Sequence, residues 1–117
     1  MRMDQRFVQL WNASTLDEMV QFWYADDAVV IPPNHEPFTG HAAILAYYKG
    51  LRDTLGELEG GTETFRASSS GSLVSLVGKY SFRSGKLRFT SHELLQREPD
   101  GSLKGVVDMF GFRDPMQ

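Results

Sequence analysis

The stretch YADDAVVIPPNHEPFTG, Tyr24–Gly40, gathers three acids (Asp26, Asp27, Glu36) and His35 around the Pro32–Pro33 pair. It lies where helical periodicity gives way to strand, and its residue types suit that handover. The short polar side chains of Asp26 and Asp27 satisfy turn backbone groups and are expected to end a helix. Proline cannot donate to a sheet ladder, so Pro32 and Pro33 fit a strand end or edge. His35 and Glu36, in PNHEPF, are expected in a tight turn joining two short strands; the alternative is a gate over a cavity mouth.

Upstream, Phe7, Leu10 and Trp11 fall at helical spacing in DQRFVQLWNAS, and Leu16, Met19, Val20 and Trp23 repeat the pattern in TLDEMVQFWYADD. Thr15 with Glu18 makes a capping box between the two segments, which predicts a pair of short helices. Downstream, TGHAAILAYYKGLRDTLG puts Ile44, Tyr47, Tyr48, Leu51 and Leu55 on one face of a third helix, with Thr39 or Gly40 at its start and Gly56 at its end. His41 begins that helix, where an exposed helix start accounts for it.

After GELEGGT, read as a glycine-rich connector, the pattern changes to strands: TFRASSSG, SLVSLVGKYSFR, KLRFTSHELLQRE and SLKGVVDMFGFR, with turns at RSGK and EPDGS. A curved antiparallel sheet follows. Lys79, Arg83, Lys86 and Arg88 surround the first hairpin turn and read as a solvated strand end rather than an anion site.

Length and composition narrow the possible functions. At 117 residues one domain spanning 1–117 is expected, large enough for a core and an internal pocket. The 41% hydrophobic and 23% charged content is that of an ordinary globular protein, and a net charge of −3 gives no reason to expect nucleic acid or an anionic membrane as partner. The absence of cysteine excludes disulfides, thiolate nucleophiles and Cys-type metal sites, leaving carboxylates, histidines, tyrosines and hydroxyls for any chemistry. His35, His41 and His92 form no i, i+4 pair, so no metal is expected. The first residues show neither a signal peptide nor a membrane span, which makes the cytoplasm the default.

Two segments carry a resemblance. Tyr24–Ile44 is similar to a tyrosine-led A-D-D-A…P-P…G-x-x-A-I pattern, and REPDGSLKGVVDMFGF, Arg97–Phe112, to a closing hairpin with an acid near its end. Together with the order of elements, they resemble the NTF2-like superfamily, closest to its SnoaL-like and DUF4440-type members. The resemblance implies an α+β cone: three N-terminal helices packed on a curved antiparallel sheet that encloses a mostly apolar pocket. That superfamily includes ketosteroid isomerases, polyketide cyclases, dehydratases and members without chemistry, so function must be argued from the site. Against the isomerase pattern, Pro32 stands where the strand aspartate base would be, and simple transfer of that activity fails.

Asp108 lies in the apolar run GVVDMFGF, where an ionised carboxylate is costly unless paired, and it matches the acid of the closing motif. Alternation puts Val106, Asp108, Phe110 and Phe112 on one face. His92 and Glu93 are neighbours, so only one faces the cavity. Glu93 matches the strand position where the isomerases hold a protonated acid that donates to an oxyanion, and burial would raise its pKa to allow this. His92, if inward, would be a general base or acid near neutral pH. Trp11, Trp23, Tyr24, Tyr47 and Tyr48 supply an aromatic wall, in which Tyr24 or Tyr48 can offer a hydroxyl to a carbonyl. The catalytic candidates are therefore Asp108, His92 and Glu93, and the ligand-binding candidates Tyr24, Tyr48, His35, Trp23 and Phe110.

The expected function is binding of a small apolar molecule bearing a carbonyl or hydroxyl, with cofactor-independent isomerisation, cyclisation or dehydration if it turns over. Non-catalytic ligand binding and a pure dimerisation domain are the alternatives. A homodimer through the outer sheet face is expected in each case, because both faces of the late strands carry apolar residues.

Overall fold

The computed structural model describes residues 2–112. Its elements run α1 (Met3–Asn12), α2 (Leu16–Trp23), β1 (Tyr24–Ile31), β2 (Phe38–Thr39), α3 (His41–Leu55), β3 (Leu58–Ala67), β4 (Leu73–Phe82), β5 (Leu87–Arg97) and β6 (Leu103–Phe112). Arg113, the expected end of the last strand, lies outside the described residues.

The three helices pack on one six-stranded, curved and unclosed sheet of order β2-β1-β6-β5-β4-β3. Strands β3 to β6 form the antiparallel meander, but β1 pairs with β6 in parallel, through Val29↔Val107, Val30↔Asp108 and Ile31↔Met109. The expectation of a wholly antiparallel sheet is corrected here. Three hairpin reversals after β3 leave β6 running in the direction of β1.

The apolar faces of the helices meet the sheet as their spacing predicts. Leu10 and Trp11 of α1, Leu16, Met19, Val20 and Trp23 of α2, and Ile44 and Tyr48 of α3 are all buried. They join Val30, Leu58, Val74, Phe82 and Leu95 from the strands in one core. The C-terminal carbonyls of α1, which have no partner inside the helix, are bound from α3: Arg52 Nε donates to Trp11 O at 3.0 Å and an Arg52 terminal nitrogen to Asn12 O at 3.2 Å. In return Trp11 Nε1 donates to Gly56 O at 2.9 Å. Asn12 bridges to the first residue of β3 in both directions, accepting from Leu58 N at 2.7 Å and donating to Leu58 O at 2.9 Å. The open end of the helix layer is thus tied to the sheet at one corner.

Three local expectations are corrected. Asp26 and Asp27 do not end a helix: α2 stops at Trp23, and both acids are exposed in β1, where its register against β6 shifts between Tyr24 and Val29. Thr15 makes no side-chain cap on α2; its hydroxyl donates to Leu10 O at 3.2 Å and closes the turn after α1 instead. GELEGGT is not a connector, since β3 begins at Leu58 and carries Gly60 and Gly61 as paired residues. The PNHEPF turn does join two strands, β1 and β2, and β1 ends just before Pro32.

Candidate functional site

Residues Ser91, Glu93 and Leu95 point inward from β5, and Asp108 and Phe110 inward from β6; all five are buried. Glu93 and Asp108 are directly opposed across the β5–β6 ladder. Side chains so placed stand on one face within a few ångströms of each other. His92 is opposed to Met109 on the outer face and is exposed, so the parity of β5 admits Glu93 to the interior and turns His92 away.

The two carboxyls form the polar floor of a cavity with aromatic walls. Phe7, Trp11 and Trp23 line it from the first two helices, Tyr48 and Leu51 from α3, and Tyr80, Phe82, Phe89 and Phe110 from the sheet. The rings of Tyr80, Phe89 and Phe82 stack nearly parallel along the sheet side, at 5.4 and 5.3 Å between centroids. The centre of a water molecule has about 40 Å³ in which to move, room for roughly three waters at ~10–15 Å³ each. Trp23 reaches this position because Gly105 of β6 has no side chain; a Cβ there would lie 3.1 Å from the indole.

Tyr24 and Tyr48 do reach the site, but their hydroxyls are turned to Asp108. The Tyr24 hydroxyl donates to Asp108 Oδ2. Tyr48 Oη lies 2.7 Å from Tyr24 Oη and 3.5 Å from the same carboxylate oxygen. Each phenol has one proton, so the order Tyr48→Tyr24→Asp108 uses both. Tyr24 is held in turn by His41, whose Nε2 lies 2.8 Å from the Tyr24 carbonyl oxygen.

Three buried polar atoms have no hydrogen-bond partner among the described residues: Trp23 Nε1, Ser91 Oγ and Asp108 Oδ1. All three residues line this one cavity. An unpaired buried polar group costs roughly 1–3 kcal/mol, so three gathered in one place call for a partner inside the cavity, water or a bound molecule.

Burial raises the pKa of Glu93 well above the usual carboxylate range, and the facing charge of Asp108 adds to the effect. The indole of Trp23 acts in the opposite sense, although its N–H has no acceptor at hydrogen-bonding distance. Burial also raises Asp108, while the facing carboxyl of Glu93 and the hydroxyls of Tyr24 and Tyr48 pull it back. The pair therefore retains a proton above the ordinary carboxylate range, and its hydrogen bonds place that proton on Glu93. The same environment pushes the phenols of Tyr24 and Tyr48 up, so both are donors throughout the physiological range.

A stability prediction follows from these directions. Both acids hold protons to higher pH in the native state than in the unfolded chain. Their contribution is complete below the unfolded pKa values and is lost as pH rises through the folded ones, by about 1.4 kcal/mol per pH unit for each proton retained. The thermal midpoint is expected to fall between pH 5 and pH 8, and to fall less in Glu93→Gln. A midpoint that is flat or rising over that range in the wild-type chain would contradict a protonated pair.

The remaining candidates are placed as follows. Trp23, Tyr48 and Phe110 line the cavity, and Tyr24 stands behind Asp108. His35 is exposed and stacks on Phe38 at 4.7 Å between centroids, outside the cavity lining. Ser91, Tyr80, Phe82 and Phe89 were not singled out from the sequence; once Glu93 is known to face inward, alternation along β5 brings Ser91 and Phe89 with it. No group of three or more His, Asp and Glu side chains converges among the described residues, and no helix there is long and apolar enough to cross a membrane.

Residues 5–114 match the family model of the SnoaL-like domain. No curated protein matches the chain at a significant level. Among solved structures, a ketosteroid isomerase-like protein from Erwinia carotovora atroseptica is 14% identical, with 93% of this chain and 89% of that one covered and a TM-score of 0.75. ActVI-ORFA from Streptomyces coelicolor is 12% identical over 93% and 90%, with a TM-score of 0.72. Nuclear transport factor 2 from Cryptosporidium parvum is 16% identical over 93% and 87%, with a TM-score of 0.68. At such identities the likeness is one of fold, the α+β cone expected from the sequence, while the family-model match bears out the SnoaL-like resemblance.

Proposed function

From a chain that belongs to the SnoaL-like domain family, we infer a small-molecule pocket whose acid pair moves protons on a small, largely apolar ligand bearing a carbonyl or hydroxyl. The observation that carries this reading is the gathering of three unpartnered polar atoms, Trp23 Nε1, Ser91 Oγ and Asp108 Oδ1, in one aromatic cavity around Glu93. An inert core would have no use for them.

The roles divide by hydrogen bonding. Glu93, protonated, donates to the ligand carbonyl, with the Trp23 N–H as a second donor. Asp108 keeps its Oδ2 on the Tyr48→Tyr24 chain and turns its free Oδ1 to the ligand. It takes a proton from the carbon beside the carbonyl while Glu93 stabilises the enol oxygen, then returns the proton to another carbon. The result is isomerisation, with no net change in the protein and no cofactor needed. This division, one acid kept neutral and its neighbour ionised, is the general pattern by which paired carboxyls take opposite roles.

The test is solvent exchange. A one-ring enone such as 2-cyclohexen-1-one is incubated in D₂O with the protein, and deuterium incorporation beside the carbonyl is followed by proton NMR. Exchange faster than in buffer is expected. Binding without exchange, across a series of one-ring ketones and enones, would leave a non-catalytic binding module; the confined volume and Pro32 at the position of the missing strand base favour that second reading.

The outer sheet face supports a homodimer in either case. Ile31 and Met109 form one apolar row that runs on past His92 to Val77, and Val29, Val107 and Leu94 form the next. Met109 is 46% exposed in the single chain. Sedimentation equilibrium at micromolar concentration is expected to give twice the 13.2 kDa of one chain, and Met109→Lys to give the monomer. A monomeric wild-type protein would rule the dimer out.

A further inference from the structure

Among the described residues, the cavity lining offers no cationic partner for its two acids. None of its lining residues is lysine, arginine or histidine. Glu93 and Asp108 face each other from opposed ladder positions, each nine-tenths or more buried, and the acceptor atoms Asp108 Oδ1 and Ser91 Oγ are unpaired. Around them stand the aromatic side chains of Trp11, Trp23, Tyr48, Tyr80, Phe89 and Phe110.

Carboxylates set among aromatic faces form the surroundings that an organic cation prefers. The rings attract it through their quadrupoles, more strongly when water is excluded, and the acids supply charge-assisted hydrogen bonds. We propose that this cavity binds the protonated form of a small one-ring amine, in preference to the neutral or anionic molecule of the same shape. The proposal rests on the cavity being the ligand site and adds a second ligand class, an organic cation, to the neutral carbonyl or hydroxyl compound.

The ammonium would donate to Asp108 Oδ1, Ser91 Oγ and the Glu93 carboxylate. Ionised Glu93 would then offer the Trp23 N–H the acceptor it lacks. Charge balances by exchange: the ammonium enters and the proton held by the acid pair leaves to solvent. The other titratable groups acting on the pair are Tyr24 from β1, Tyr48 from α3, Tyr80 from β4, Asp4 from α1 and His92, which adjoins Glu93 on β5 but faces outward. None of the tyrosines gives up its proton below the alkaline range, so the exchanged proton comes from the pair.

Benzylamine, benzyl alcohol and benzoate share one ring and differ in charge. Each is titrated into the full-length protein by calorimetry at pH 7.5, in two buffers of different ionisation enthalpy. Benzylamine is expected to bind about tenfold or more tightly than benzyl alcohol, to release close to one proton per molecule bound, and benzoate is expected not to bind. In Glu93→Gln the proton release disappears; the wild-type comparison is decisive without that variant. Benzyl alcohol binding as tightly as the amine would overturn the proposal and leave the cavity as a ligand site. Failure of all three probes, with no shift in the amide or indole NMR signals of cavity residues, would overturn both.

Discussion

Gly60→Ala is expected to lower the thermal midpoint by roughly 10–25 °C, corresponding to a loss of roughly 3–5 kcal/mol in a domain of this size. Gly60 sits in β3 opposite Tyr80 with φ +126°, a backbone region that side-chain-bearing residues rarely adopt. A Cβ placed on it would lie 2.2 Å from Lys79 O and 2.7 Å from the Tyr80 Cα. Both are backbone atoms of the neighbouring strand and cannot turn aside as a flexible side chain would. The strand must shift, and with it Tyr80, whose ring forms part of the cavity wall. Gly50 of α3 supplies the control, since a Cβ there meets nothing within 4 Å and alanine should add up to about 1 kcal/mol. Circular dichroism melts of both variants decide the matter; a fall of less than about 3 °C in Gly60→Ala would show that β3 accommodates the methyl group and that the close approach is not a constraint.

Asp108→Asn is expected to slow solvent exchange of the enone by about 10²–10⁴-fold, the usual contribution of a positioned general base. Asparagine has nearly the same shape, and its amide oxygen can still accept from Tyr24, so the fold and ligand affinity should be little affected. What is lost is the basic oxygen that the tyrosine chain leaves free. Glu93→Gln should cost less, because its amide N–H₂ still donates to the ligand oxygen. Initial exchange rates measured beside dissociation constants for the three proteins separate the two effects. An Asp108→Asn protein that binds and exchanges at the wild-type rate would remove Asp108 from the reaction.

Much of the fold is legible because it depends on local periodicity. Leu16, Met19, Val20 and Trp23, and Ile44 with Tyr48, announce buried helix faces through spacing alone. Gly60 and Gly61 mislead for a physical reason: glycine marks both a loose connector and a close approach of packed backbones, and only the second element tells which. Here Asp4 of α1 approaches Gly61, and its Oδ2 accepts from Thr62 N at 2.8 Å. That partner lies 58 residues away in sequence.

The site was legible in composition and hidden in register. Alternation requires that only one of His92 and Glu93 face inward, but which one depends on the β5–β6 register, and that register shifts between Leu94 and Leu95. The tyrosines and Asp108 each stand out by residue type, while their pairing does not. Tyr24 and Asp108 are 84 positions apart, and nothing local in either segment announces that a phenol will meet a carboxylate rather than a ligand.

The parallel pairing of β1 with β6 also determines when the site can exist. Apart from the two residues of β2, β1 has no ladder partner until β6 arrives, and the segments they join lie near opposite ends of the chain. Closing so long a loop is entropically expensive, and contacts of such high sequence separation slow folding. Tyr24 and Asp108 are brought together by that same closure. The β5–β6 hairpin can therefore set Glu93 and Asp108 face to face by local pairing alone, whereas the Tyr24 hydroxyl reaches Asp108 only when the two ends of the chain meet.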